Sequence, residues 1–119
     1  MKEVSDIIAR KDIEILVDSF YDRVRSDALL GPRFSHVDWS KHLPIMYNFW
    51  SSLLLGDQTY HGNPFQKHAD LPLEQEHFTA WVKLFIEIVD ENFKGEKADE
   101  IKIRAQNIAQ LFQHKLNLL

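Results

Sequence analysis

At 119 residues the chain has material for one domain with one core, and its 45% apolar and 27% charged content is that of a globular chain rather than a disordered one. No apolar run approaches the ~18 residues of a membrane-crossing helix, and a net charge of −4 without a basic block argues against nucleic acid as the main partner. There is no cysteine, which excludes disulfides, thiolate catalysis, Cys-bound zinc or iron–sulfur clusters, and covalent cofactor attachment through a Cys-x-x-Cys-His motif.

The N-terminal stretch MKEVSDIIARKD has no long apolar segment of the secretory kind, so a cytoplasmic protein is expected. Ser5 is placed as the N-cap of a short turn over residues 5 to 9. The first long helix is predicted over Asp12 to Arg25. There Ile13, Leu16, Val17, Phe20, Tyr21 and Val24 recur at helical spacing on one face. Gly31-Pro32 makes a tight connector. A second helix follows from Asp38 to Leu55, with Trp39, Leu43, Met46, Trp50, Leu53 and Leu54 sharing a face and Gly56 as its stop. Pro44 lacks the N–H and disfavours helical geometry at Leu43. The spacing therefore predicts a loose or 3₁₀-like start and a regular helix only from about Pro44. Residues 57 to 72 form the one long irregular stretch, with a short helix over Pro64 to His68. Pro72 opens a third helix whose face is Phe78, Trp81, Val82, Phe85, Ile88 and Val89, and Gly95 closes it. The last runs from about Lys97 to Leu116 and buries Ala98, Ile101, Ala105, Ile108, Ala109, Phe112 and Leu116. No segment alternates with period two for the length of a strand. The class is all-α, with four main helices.

Six histidines and fourteen aromatics, eight of them Phe, three Trp and three Tyr, are the unusual part of the composition. Most of the aromatics are core by their spacing. Tyr21 and Trp81, however, lie on the most apolar stripes and carry donors that need partners when buried. With histidines on adjacent segments, they suggest a polar focus inside an apolar pocket. The histidines form no His-x-x-x-His pair and no Glu-x-x-His repeat of the di-iron bundles. G-x-S-x-G, P-loop and Gly-rich dinucleotide motifs are absent as well. His36, His77 and His114 are read as surface residues or as residues behind the site, without a role.

The stretch Gly62-Asn63-Pro64-Phe65-Gln66-Lys67-His68-Ala69-Asp70-Leu71-Pro72-Leu73 places a histidine between two prolines, just ahead of the helix of Phe78, Trp81 and Phe85. Together with Phe20-Tyr21, Leu30-Gly31-Pro32-Arg33-Phe34, the run from Trp39 through His42 to Phe49-Trp50, and His77-Phe78, it resembles the truncated haemoglobins, most of all their third group. The likeness runs from about Ile13 to Phe112. The four glycines are isolated, which fits the third group rather than those with glycine pairs.

The resemblance implies a single truncated globin domain over 1–119, a truncated globin-like 2-on-2 helical sandwich around a haem. His68 looks like the proximal ligand of the iron, Tyr21 and Trp81 like the distal tyrosine and tryptophan, and His42 like the distal-helix histidine. Met46 lies one turn beyond His42, and Phe34 matches the phenylalanine that wedges against the porphyrin. Phe49, Trp50, Phe65, Leu71, Phe78 and Phe85 are further candidates for the apolar slot. Lys67, with Arg33 and His61, is a candidate for the propionates. Without cysteine the cofactor implied is non-covalent haem b. The partners implied are O2, CO and NO with an unidentified reductase, on a monomer that meets neither nucleic acid nor membrane.

Two donors on bound O2 slow its release, which suits chemistry on a held ligand better than oxygen transport. Conversion of NO to nitrate, or a peroxidase-like step, is the expectation. A cofactor-free helical protein-interaction module, its aromatics serving only as core, is the alternative.

Overall fold

In the computed structural model the described residues are 4–35, 37–58 and 73–116. They hold four α-helices: α1 (Arg10–Ser26), α2 (Trp39–Leu55), α3 (Gln75–Asn92) and α4 (Glu96–Lys115), with a 3₁₀ turn at Gly31–Phe34. Helix α1 pairs with α2 and α3 with α4, and the pairs meet chiefly where α1 crosses α3. This is a two-on-two helical arrangement, all-α as the sequence predicts. Among the described residues the sole β pairing is an isolated parallel bridge between Ser5 and Phe93. No helix is long and apolar enough to cross a membrane.

The apolar stripe of α1 is buried as its spacing requires: Ile13, Leu16, Val17, Phe20, Tyr21 and Val24 all face inward. The short turn expected over residues 5 to 9, with Ser5 as its N-cap, does not form. The helix begins at Arg10, and the Asp12 carboxylate accepts the N–H groups of Ile8 (2.9 Å) and Ala9 (3.1 Å) at its entrance. Ser5 is drawn instead into the bridge, where its carbonyl accepts the Lys94 N–H at 3.0 Å.

The expected loose start of α2 is also corrected. The Asp38 side chain accepts the Ser40 N–H at 3.2 Å, so a side chain satisfies the first turn and regular helix begins at Trp39. Pro44 lies within that helix with its ring exposed. The missing N–H leaves the exposed Ser40 carbonyl on the side where water can serve it. Gly56 ends the helix in the left-handed region, φ 73°, as a glycine C-cap does.

Helices α3 and α4 are joined through Phe93, Lys94 and Gly95. Gly95 has φ 143°, and a Cβ there would fall 2.5 Å from Cγ of Asp6. Only glycine lets the N-terminal segment lie that close. Asp6 then accepts the N–H groups of Lys97 (3.0 Å) and Ala98 (2.8 Å) and so caps α4 from a distant part of the chain.

The buried side chains fall into two groups. The larger runs from Ile7 and Ile13 through Phe20, Trp50 and Phe85 to Ala105, and the smaller comprises Phe78, Ala109 and Phe112. Trp81 and Ile108 pack against both. The short helix expected over Pro64 to His68 falls outside the described residues. Helix α3 opens at Gln75 with an extended Glu74 ahead of it, and so not at Pro72 as expected.

Candidate functional site

A cavity lies along the seam between the two groups of core residues. Tyr21, Leu30, Phe34, Met46 and Trp50 wall it on one side, and Phe78, Ala109 and Phe112 on the other. Phe49, Leu73, His77, Trp81 and Ile108 complete the lining. About 50 Å³ of the cavity is open to a water-sized sphere. All four helices supply wall, and the period of 3.6 that buries Tyr21 on α1 also buries Phe112 on α4.

Of the residues singled out from sequence, Tyr21, Phe34, Met46, Phe49, Trp50, Phe78 and Trp81 line this cavity. Phe85 is fully buried behind the wall. It stacks on Trp50 (centroids 5.0 Å apart) and Trp81 (5.5 Å) and meets Phe20 edge-on. It therefore holds the two tryptophans in place rather than reaching the cavity. His42 stands one step back as well. Its ring meets Tyr21 edge-on at 5.5 Å and Trp39 at 5.4 Å. Pro44 has not turned it away from Tyr21, and His42 packs against that phenol from α2. Trp39 in turn lies 5.1 Å from Tyr21, with the Arg25 guanidinium 5.3 Å over its ring.

His68, Phe65, Lys67 and Leu71 lie outside the described residues, as do His36 and His61. The description resumes at Leu73, which lines the cavity. Among the described residues no cluster of three or more His, Cys, Asp or Glu could hold a metal ion.

The polar groups on this apolar wall are few. Tyr21 is 4% exposed. Its hydroxyl makes no hydrogen bond with any described residue, and burial alone pushes its ionisation well above that of an ordinary phenol. The Trp81 indole N–H likewise donates to no described residue. Two donors on the wall of a pocket of aromatic and aliphatic side chains form a donor set for an electron-rich ligand.

His77 corrects its sequence reading as a residue without a role. It is 1% exposed and lies on the cavity wall; its Nδ1 accepts the Glu74 N–H at 2.8 Å, and its Nε2 lies 3.1 Å from Arg33 Nε. Its partner Arg33 is 44 positions away in sequence, so no local motif could announce the pairing. Ile108, Ala109 and Phe112 were placed in the core by their spacing and are also cavity wall. Core and pocket lining share one apolar pattern, and only the position of the neighbouring helix separates them.

Known proteins agree with this geometry. The family model for bacterial-like globins matches residues 5–117. The chain is 39% identical to the group 3 truncated haemoglobin ctb of Campylobacter jejuni, over 93% of each chain. It superposes on the crystal structure of a group III truncated haemoglobin from Campylobacter jejuni with a TM-score of 0.88, covering 96% of this chain and 95% of that one. The truncated oxygen-avid haemoglobin of Bacillus subtilis follows at TM-score 0.79 and 28% identity, over 88% and 93% of the two chains. The chain therefore belongs to the bacterial-like globin family, among the truncated haemoglobins, with its likeness to their third group.

Proposed function

We propose that the cavity holds non-covalent haem b, that His68 is the protein ligand of its iron, and that the site takes O2, CO or NO. Family membership supports a haem cofactor. The position of His68, five residues ahead of the cavity-lining Leu73, supports its role. Bound haem supplies an iron with one open position for a diatomic ligand. The carrying observation is the buried Tyr21 hydroxyl on the cavity wall, which has no hydrogen-bond partner among the described residues. It is a donor held ready for an acceptor that no described residue supplies.

A diatomic ligand that gains negative charge provides that acceptor. Tyr21 donates from α1 and Trp81 from α3, in a slot lined by Phe34, Met46 and Phe78. Each such bond to a charged acceptor is worth ~1.5–3 kcal/mol. Two of them slow release of O2 more than tenfold, since ~1.4 kcal/mol is one factor of ten. Slow release favours chemistry over transport. The reaction this suits is NO + O2 + e⁻ → NO3⁻, with the electron returned by a separate reductase. A cofactor-free interaction module would be better served by a closed core, and the divided core with its donors facing the cavity counts against it.

The reading is tested on the haem-loaded protein. A Soret band in the purified or reconstituted protein is expected. Tyr21→Phe is expected to raise the O2 dissociation rate more than tenfold in stopped-flow mixing. An unchanged rate would overturn the role of Tyr21. Slow or incomplete nitrate formation when the oxygenated form meets NO would remove the reaction while leaving ligand binding in place.

A further inference from the structure

We propose that Arg33 and His77 together form a carboxylate anchor at the edge of the cavity, and that its occupant is a propionate of the porphyrin; this rests on the haem reading above. The argument is one of protons. A neutral imidazole has one N–H and one acceptor nitrogen. Both nitrogens of His77 face N–H donors, the Glu74 amide at 2.8 Å and the Arg33 Nε–H at 3.1 Å. Whichever nitrogen carries the ring proton, one of these contacts sets two donors against each other. Turning the ring over does not help, because both nitrogens are engaged, and in the charged imidazolium neither nitrogen accepts.

The two contacts are not equivalent. The Glu74 bond is the shorter, and it is local, closing the first turn of α3 from within. It keeps the acceptor nitrogen at Nδ1, so the proton sits on Nε2 and points toward the guanidinium. Arg33 has no carboxylate partner among the described residues. The result is a permanent cation and a buried imidazole N–H side by side, with no acceptor for either among the described residues.

A carboxylate placed against the pair meets both donors, one oxygen on each, and adds the charge that Arg33 lacks. The location fits. Arg33 precedes the cavity-lining Phe34 in the 3₁₀ turn, and His77 is itself on the wall beside Phe78. Arg33 is half-buried, so the anchor leads from the apolar slot to the surface. A flat apolar disc with carboxylates on one edge would place its disc in the slot and one carboxylate at this rim.

The test follows loss of the cofactor rather than activity. The full chain is loaded with haemin, or with haemin dimethyl ester in which both carboxylates are masked, and transfer to an excess of a haem-scavenging apoprotein is followed by the Soret change. Wild type is expected to lose the ester roughly tenfold faster than haemin, as follows from the loss of one charge-assisted bond. Arg33→Gln and His77→Leu are expected to speed haemin loss to about the ester rate while leaving loss of the ester unchanged. His77→Gln, which keeps an N–H of similar reach, should recover most of the retention and covers the case in which His77→Leu fails to fold. Equal loss of haemin and ester by wild type overturns the anchor. So does faster loss of both by the variants, which would mean a merely structural role. If wild type forms no Soret complex with either compound, the haem reading itself has failed, an outcome distinct from these.

Discussion

The two ends of the bundle treat polar groups in opposite ways. At the end where α1 begins, Ile7, Ile13, Leu16 and Ile101 are fully buried, and the Asp6 carboxylate is surrounded by the N–H groups of Ile7, Lys97 and Ala98. At the cavity end, Phe34, Phe78 and Phe112 keep 5, 6 and 9% exposure. The Tyr21 hydroxyl there has no acceptor among the described residues, and Arg33 faces an imidazole instead of a carboxylate. The described residues thus satisfy Asp6 fully at one end and leave donors facing the cavity at the other. Helices α3 and α4 each contribute to both ends. Ile88 and Ile101 serve the closed one, and Phe78 and Phe112 the open one.

The contrast is broken most directly by truncating one large side chain at each end and following urea denaturation of the cofactor-free protein. Ile101→Ala, at a fully buried position, is expected to cost ~2–5 kcal/mol. Phe112→Ala should cost clearly less despite its larger volume, because one side of that ring already faces the cavity. The Phe112 variant should instead shed its cofactor faster. Equal losses would mean that the cavity end packs as tightly as the other.

Gly95→Ala is the next largest effect, at ~1–3 kcal/mol for a side chain in a backbone region reserved for glycine. Its Cβ would also collide with Asp6, so the measurement reports on how firmly the N-terminal segment is held. Asp6→Ala follows at about 1–2 kcal/mol, the usual cost of removing a helix cap. Burial alone would raise the Asp6 carboxyl, but the N–H groups of Lys97, Ala98 and Ile7 and the Lys97 charge outweigh it and hold the carboxyl below its ordinary value. A carboxyl depressed in the folded state stabilises fully above the unfolded value of ~3.9 and loses that contribution as pH falls through the folded one. The variant should therefore show a shallower loss of stability in acid than wild type.

The smallest effect at neutral pH belongs to Tyr21→Phe. Burial raises the Tyr21 ionisation above that of the unfolded phenol, near ~10. A raised group contributes fully below the unfolded value and loses that contribution as pH climbs toward the folded one. Thermal unfolding should be nearly unchanged by the substitution at pH 7, whereas above about pH 10 wild type should lose stability more steeply than the variant. Parallel curves would mean that the hydroxyl is already solvated at the cavity wall.

The helical stripes were readable in the chain because a period of 3.6 needs only the identity of nearby residues. The burial of Ile13 through Val24, the stop at Gly56 and the four helices all follow from such local information. The same reasoning misplaced Ser5 and the start of α2. In both cases a short-range polar bond, from Asp12 or from Asp38, decided where the helix began. It also left His77 without a role, because its significance depends on Arg33 arriving from another element.

By itself, then, the sequence determined an all-α chain, its four amphipathic faces and, through linked motifs, the globin family. All of these are written in spacing along one strand of peptide. The tertiary structure alone decided which faces close and which stay apart. It set Phe85 behind two tryptophans instead of on the cavity, packed His42 against Tyr21, and brought Arg33 to His77. The physical reason is that hydrophobic burial is non-directional and can be read as a pattern, whereas a cavity and its hydrogen-bond donors exist only where separate helices meet at a fixed distance and angle.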